Sequence, residues 1–343
     1  MQLHHILFIA VVVTVLLYDF TNGFHDAADM IATAIASFSM RPSVAIALVG
    51  FFTFLGPLVV GLAVADTIGT FVNIKDVSVT MAQSVVIAAL LAAVSYNLIT
   101  WYFGLPSSSS NSLAGGLVGA GLITVGSSHI NWGVEALIQG ELVGLMKVVV
   151  GLLFSPFFAF LIGFLVLKLF LFVFKRFTIK IKPFFVVTQY FSVAWLGFSH
   201  GANDAQKGMA IIGMMLLASG YTQNFFVPLW AILACTGAIT LGTIFGGWNI
   251  IKTLGFGIYK IRLIDSVANQ LGSALVNTIA TSIGAPTSTT QVVTSTLLGN
   301  GAARNPRRVN WNVAKNIIIG WIFNIPTSIL LGAGYAYMLQ RIL

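Results

Sequence analysis

The chain has 343 residues, of which 57% are hydrophobic and 8% charged, with a mean hydropathy of +0.95. About a quarter of the residues in a soluble globular domain are charged, so this composition excludes a water-covered globule. The net charge of +8 does not point to a nucleic-acid partner, because the basic residues sit in short segments between long apolar runs, where they set membrane topology.

Residues 1–20 form the first apolar run; it lacks a basic start, ends at Asp19, and reads as a membrane segment rather than a cleaved signal. The runs 44–65, 81–103, 152–174, 226–246 and 313–340 follow, each near or above the roughly 20 residues that span a bilayer. Long runs of this kind argue against a membrane β-barrel, whose strands alternate polar and apolar residues over about ten positions. The fold class expected is an all-α polytopic membrane protein. Residues 132–150, with Glu135, Glu141 and Lys147, fit either an interfacial helix or a tilted span. Cys235 stands alone in an apolar run, which excludes an intrachain disulfide and a thiolate metal site.

Two motifs recur. FTNGFHDAADMIA (20–32) and FSHGANDAQKGMA (198–210) align without gaps at an offset of 178, sharing Phe20/Phe198, Gly23/Gly201, Asp26/Asp204, Ala27/Ala205 and Ala32/Ala210. NLITWYFGLPSSSSNS (97–112) and NTIATSIGAPTSTTQV (277–292) align at an offset of 180, pairing Asn97/Asn277, Gly104/Gly284, Pro106/Pro286 and Ser108/Ser288. Two motifs in the same order at nearly one offset mark a duplication, with a first repeat at 1–174, a short basic linker at 175–185 and a second repeat at 186–343.

Charge then predicts orientation. Placing Arg41, Lys175–Lys182, the 247–265 segment and the 300–315 segment in the cytoplasm puts twelve basic residues inside and leaves Lys75, Lys147 and Arg341 outside. Every corresponding pair of connections then falls on opposite sides, so the repeats are expected to be inverted, with both termini outside and the 175–182 loop cytoplasmic. Inverted repeats with interrupted segments are a secondary-transporter architecture, with the site near the membrane midplane. The Gly-Asp motif is expected to break the first membrane segment of each half, and residues 107–125 and 287–299 to be re-entrant.

The chemistry follows from residue type. Pro106 and Pro286 suit the opening turn of a helix. Ser108, Ser109 and Ser110, with Ser288, Thr289 and Thr290, would then place hydroxyls beside unpaired N–H groups at a positive helix end, a site for a tetrahedral oxyanion. A carboxylate beside an anion repels it, so Asp26 and Asp204 are assigned to co-transported cations. Asn22, Asn97, Asn203 and Asn277 would complete an all-oxygen shell suited to Na⁺. A proton relay through Asp26, Asp204, His25 and His200 is the competing use of the same residues. His25/Asp29 and His200/Asp204 are both spaced i,i+4, but neither pair has a third ligand nearby in sequence. Lys207 aligns with Asp29; pairing with Asp29 and attraction of the anion are both open to it.

GFHDAADMIA and HGANDAQKGMA resemble the paired Gly-Asn-Asp signature of the inorganic phosphate transporter (PiT) family, and PSSSSNS and PTSTTQV resemble its Pro-x-Ser-Thr-Thr-His motif. The resemblance spans both halves. It implies a symporter of inorganic phosphate with Na⁺ or H⁺, without a bound cofactor, working as a homodimer in the lipid bilayer of the cell membrane. Here His25 stands where the family usually has Asn, and Asn111 and Gln291 where it usually has His, which tilts the coupling ion toward Na⁺. A sulfate permease, a proton-coupled or metal-phosphate carrier, a channel with re-entrant loops and an intramembrane Ser hydrolase are the rival readings.

Overall fold

The two Gly-x-Pro stretches fold alike. In a computed structural model, which describes residues 2–69, 77–176 and 179–342, Gly104 and Gly284 both adopt φ of +65°. Gly104 N–H donates to the Trp101 carbonyl and Leu105 N–H to the Thr100 carbonyl; Gly284 and Ala285 repeat this on Thr281 and Ala280. A left-handed glycine closing a helix by such paired bonds is a Schellman-type end. The chain then runs extended through Pro106 and Pro286 to Ser108 and Ser288. Their hydroxyls accept the N–H of Asn111 and Gln291 and cap the next helices. The prolines therefore stand in the approach to each helix, not in its opening turn as expected, because serine takes the cap.

In chain order the first half holds α1 (Gln2–Ala36), α2 (Pro42–Val59), α3 (Ala63–Gly69), α4 (Val79–Tyr102), α5 (Ser109–Thr124), a short α6 (Val134–Ile138) and α7 (Gly144–Val173). The second holds α8 (Lys182–Ala218), α9 (Leu229–Phe245), α10 (Trp248–Gly257), α11 (Leu263–Ser282), α12 (Thr289–Arg304) and α13 (Trp311–Ile342). The described residues form no strand. Residues 132–150 become α6, a turn and the start of α7, rather than one interfacial helix or span. Lys75 and residues 177–178 of the linker lie outside the described residues.

Among the described residues five helices, α1, α2, α4, α7 and α13, are long and apolar enough to cross a bilayer, and α9 with α10 forms a further pair bent by 66°. With 16 residues each, α5 and α12 are about 24 Å long, short of the roughly 30 Å hydrocarbon core, as a re-entrant segment should be.

The break expected at the Gly-Asp motif is absent. Helix α1 continues through Gly23 and α8 through Gly201; the second half is interrupted instead at Gly246–Gly247, between α9 and α10. The two motif glycines serve close packing. A Cβ on Gly23 would lie 2.0 Å from the Ile239 carbonyl oxygen of α9, and one on Gly201 would lie 2.1 Å from that of Thr53 on α2. Small residues that let backbones touch are the usual means of joining helices in a membrane, where no hydrophobic force brings them together.

These contacts are reciprocal between halves. Helix α1 packs on α9 while α8 packs on α2, and α5 packs on α13 while α12 packs on α7. A Cβ at Gly119 would stand 2.0 Å from the Ile329 carbonyl, and one at Gly299, 180 residues later, 2.0 Å from the Phe160 carbonyl. An element of each half met by the counterpart element of the other is a two-fold arrangement. Along α1 and α8 the numbering runs in opposite senses, since Asp19 lies against Gly208 while Asp26 approaches His200. Apolar clusters flank the polar layer between these helices, one including Tyr18, Leu90 and Met209 and the other Ile31, Leu196 and Leu297.

Candidate substrate and ion site

Helical periodicity collects the polar residues of α1 on one face. Asp19, Asn22, Asp26 and Asp29 follow at steps of three and four, and all are fully buried. Helix α8 presents His200, Asn203, Asp204 and Lys207, also buried. The starts of α5 and α12 meet between these faces, where the Ser110 hydroxyl donates to the Thr287 carbonyl at 2.8 Å.

Each signature aspartate is bound by a hydroxyl of α12. Thr290 donates to Asp26 Oδ1 at 2.8 Å, and Thr289 donates to Asp204 Oδ2 at 2.7 Å. The Thr290 hydroxyl also touches Asp29, and the Lys207 ammonium forms an ion pair with Asp204. His200 Nδ1 lies 3.1 Å from Asp204 Oδ2, 3.0 Å from the Thr289 hydroxyl and 4.0 Å from Asp26 Oδ2. The carboxylates of the two halves thus share one buried layer.

The asparagines occupy the same layer in different ways. Asn22 accepts from the Ser109 hydroxyl at 2.6 Å, in the position where His200 meets Thr289 in the other half. Asn203 donates to Thr281 Oγ1 at 2.9 Å and accepts the Thr287 N–H at 3.1 Å, so it holds the α12 approach. Asn277 donates to Thr289 at 3.3 Å and accepts from Thr287 at 3.4 Å. Asn97 reaches Thr21 at 3.5 Å, and its Oδ1 has no partner. Ser108 and Ser288 spend their lone pairs on helix capping, which leaves Ser109, Ser110, Thr289 and Thr290 as the hydroxyls turned to the aspartate layer.

For His200/Asp204 the structure supplies a third ligand from another helix, Asp26 of α1; for His25/Asp29 the third ligand is Asp26 of the same helix. His25, Asp26 and Asp29 form one set, and Asp26, His200 and Asp204 another, with ligand atoms within 4.8 Å of one another in each. Lys207 pairs with Asp204 and not with Asp29. Sequence reasoning also missed three groups. Asp19 is fully buried with both carboxylate oxygens unpartnered; its seven-residue step from Asp26 was the available signal. Trp321 donates to the Pro106 carbonyl at 3.0 Å and Asn324 to the Ser108 carbonyl at 2.8 Å, and nothing in the sequence of α13 marked them.

A cavity of about 20 Å³ lies beside Ser110, Lys207 and Pro286, room for about one water. Two helix starts bearing hydroxyls, with carboxylates of opposite halves between them, are the candidate substrate site of a membrane carrier.

The chain belongs to the phosphate transporter family, whose model matches residues 22–332, and is therefore a multi-pass membrane transporter rather than an enzyme. It is similar to a probable low-affinity inorganic phosphate transporter of Rhizobium meliloti (strain 1021), at 39% identity over 95% of both chains. The corresponding protein of Bacillus subtilis (strain 168) is 38% identical over 98% of both chains. Among solved structures, one described as "The sodium-dependent phosphate transporter" superposes with a TM-score of 0.79 at 25% identity, covering 98% of this chain and 100% of that one.

Proposed function

We propose that the protein imports inorganic phosphate by symport with Na⁺, through alternating access of two inverted repeats, residues 1–174 and 186–343. The observation that carries this reading is the head-to-head meeting of α5 and α12, with Thr289 and Thr290 each bound to the aspartate of a different half. Hydroxyls and helix N-termini suit a tetrahedral oxyanion. Buried carboxylates cannot face that anion unless a cation stands between, which couples the two bindings electrostatically.

The antiparallel course of α1 and α8 and the reciprocal glycine contacts support inversion. Phosphate would bind among Ser108, Ser109, Ser110, Ser288, Thr289 and Thr290, and Na⁺ near Asp26, Asn22 and Asn97 and near Asp204, Asn203 and Asn277. Transport would proceed by rocking of one structural unit against the other. Na⁺ is favoured as the partner by the oxygen-rich donor sets and by the similarity to a solved transporter described as sodium-dependent.

Radiolabelled phosphate uptake into proteoliposomes tests the reading, under an imposed Na⁺ gradient or pH gradient and with sulfate as competitor. Concentrative uptake that follows Na⁺ and ignores sulfate is the expected result. Uptake that follows only the pH gradient transfers the coupling role to protons on the His/Asp cluster.

A further inference from the structure

Asp29 and Lys207 are equivalent positions of the duplication, 178 residues apart, and they make the same contact. The Asp29 carboxylate meets Thr290, the third hydroxyl of the second-half run that begins at Ser288. The Lys207 ammonium meets Ser110, the third hydroxyl of the first-half run that begins at Ser108, at 2.5 Å. Each side chain therefore crosses to the opposite half, and each stands beside the signature aspartate of its own half: Asp29 shares Thr290 with Asp26, and Lys207 pairs with Asp204. Geometry is kept between the halves, and charge is reversed.

We propose that Lys207 is a resident counter-ion fixed in the cation position of Asp204, so that only the Asp26–Asp29 cluster exchanges a travelling cation. This rests on the symport reading above and narrows its two Na⁺ positions to one, with Lys207 standing in for the ion at Asp204. The Lys207 ammonium also donates to the Thr287 carbonyl at 3.0 Å, giving it oxygen partners from a carboxylate, a hydroxyl and a carbonyl. That is the kind of shell a bound Na⁺ takes. A cation bound to the same Asp204 oxygen would have to displace it.

The first-half cluster is the opposite case. Asp26 and Asp29 are two buried carboxylates without a lysine or arginine partner; the basic groups beside them are imidazoles, with His25 Nδ1 at 3.6 Å and His200 Nδ1 at 4.0 Å from Asp26, and the one Thr290 proton cannot satisfy both carboxylates. Asp29 Oδ1 is buried there without a hydrogen-bond partner, and His25 Nδ1 faces Asp26 Oδ1 at 3.6 Å, too far for a hydrogen bond. Uncompensated carboxylates within a bilayer demand a cation, and here it must come from solution.

The test compares native protein with Lys207→Gln in proteoliposomes, counting radiolabelled sodium and phosphate moved under one Na⁺ gradient. The variant is expected to move one more Na⁺ per phosphate than the native protein, with the Hill coefficient for Na⁺ raised by about one. Lys207→Arg should keep the native ratio. The double exchange Asp29→Lys with Lys207→Asp, which moves the resident charge to the other half, should keep it too. An unchanged ratio and Hill coefficient in Lys207→Gln overturns the assignment. If that variant does not transport, equilibrium binding of radiolabelled Na⁺ to the purified monodisperse protein decides. One additional site supports the assignment, and an equal count overturns it. Failure of the symport reading shows separately, as native uptake indifferent to Na⁺. Charge moved per phosphate under a pH gradient then replaces the sodium count, with the same two outcomes.

Discussion

Thr289 and Thr290 are chain neighbours whose hydroxyls serve opposite halves of the protein: Thr289 binds Asp204 of α8, and Thr290 binds Asp26 of α1. One turn of α12 therefore ties the two signature aspartates to the helix start proposed to hold the anion. Thr290 carries the larger burden, because its hydroxyl is set between Asp26 and Asp29, neither of which has a basic partner on the scale of Lys207. A hydrogen bond to a charged group contributes about 1.5–3 kcal/mol. Thr290→Val should raise the half-saturating cation concentration for uptake roughly ten- to hundredfold, with Thr290→Ser close to native. Thr289→Val should cost less, since Lys207 still holds Asp204. Phosphate uptake titrated with Na⁺ reads both.

The aspartates should differ in stability as well as in transport. Both Asp26→Asn and Asp204→Asn are expected to weaken uptake and its cation dependence. Only Asp204→Asn also strands a fully buried ammonium, and removing one member of a buried ion pair typically costs about 3–5 kcal/mol. Asp26→Asn removes a negative charge from a crowded pair of carboxylates and should be tolerated by the fold. Thermal unfolding in detergent should therefore rank Asp204→Asn well below Asp26→Asn and native protein. Equal melting temperatures for the two variants would deny the Lys207–Asp204 pair its structural part.

Much of this layer was legible in the sequence, because repetition does not depend on knowing the fold. The nearly equal offsets paired Asp26 with Asp204, which lie in one cluster, and the hydroxyl run ending at Ser110 with the run that starts at Thr287, which touch. The helix breaks were misread for a physical reason. Gly23 and Gly201 in an apolar run read equally as points of unwinding or of contact, and only the neighbour that approaches them decides. Ile239 and Thr53 lie far off in the chain, so no local pattern could announce the contact. The same holds for the set of Asp26, His200 and Asp204, whose third ligand arrives at α8 from α1. Lys207 was visible as a departure from the repeat, but its partner was not.

The clamp on α5 is another break in the symmetry. Asn324 donates to the Ser108 carbonyl at 2.8 Å and accepts from Ser112 at 3.0 Å, while Trp321 donates to the Pro106 carbonyl. The paired contacts of Gly332 on Gly116 and of Gly163 on Thr296 set α7 and α13 in register. In that register Leu152 and Ser155 stand where α13 has Trp321 and Asn324, so α12 has no such clamp. Asn324→Leu removes one donor from the Ser108 carbonyl, which keeps the Ser112 N–H and hydroxyl, a loss of about 0.5–1.5 kcal/mol. The start of α5 should loosen, and half-saturation by phosphate should rise about two- to tenfold with the Na⁺ curve little changed. Uptake measured against phosphate at saturating Na⁺ checks this.

The glycines give a prediction of opposite signs. A Cβ at Gly299 would lie 2.0 Å from the Phe160 carbonyl oxygen, an overlap with backbone that no side-chain rotation relieves. Gly299→Ala must push α12 away from α7, and overpacking of this kind costs about 1–3 kcal/mol or more. Because α12 carries Thr289 and Thr290, uptake should fall together with melting temperature. Gly320, in the interior of α13, has nothing within 4 Å of an added Cβ. There alanine removes only the conformational freedom that glycine brings to a helix, a gain of up to about 1 kcal/mol. Gly320→Ala should melt slightly above native with uptake preserved. If Gly299→Ala melted as high as Gly320→Ala, α7 and α12 could not be in backbone contact, and the reciprocal packing of the halves would lose one of its two matched contacts.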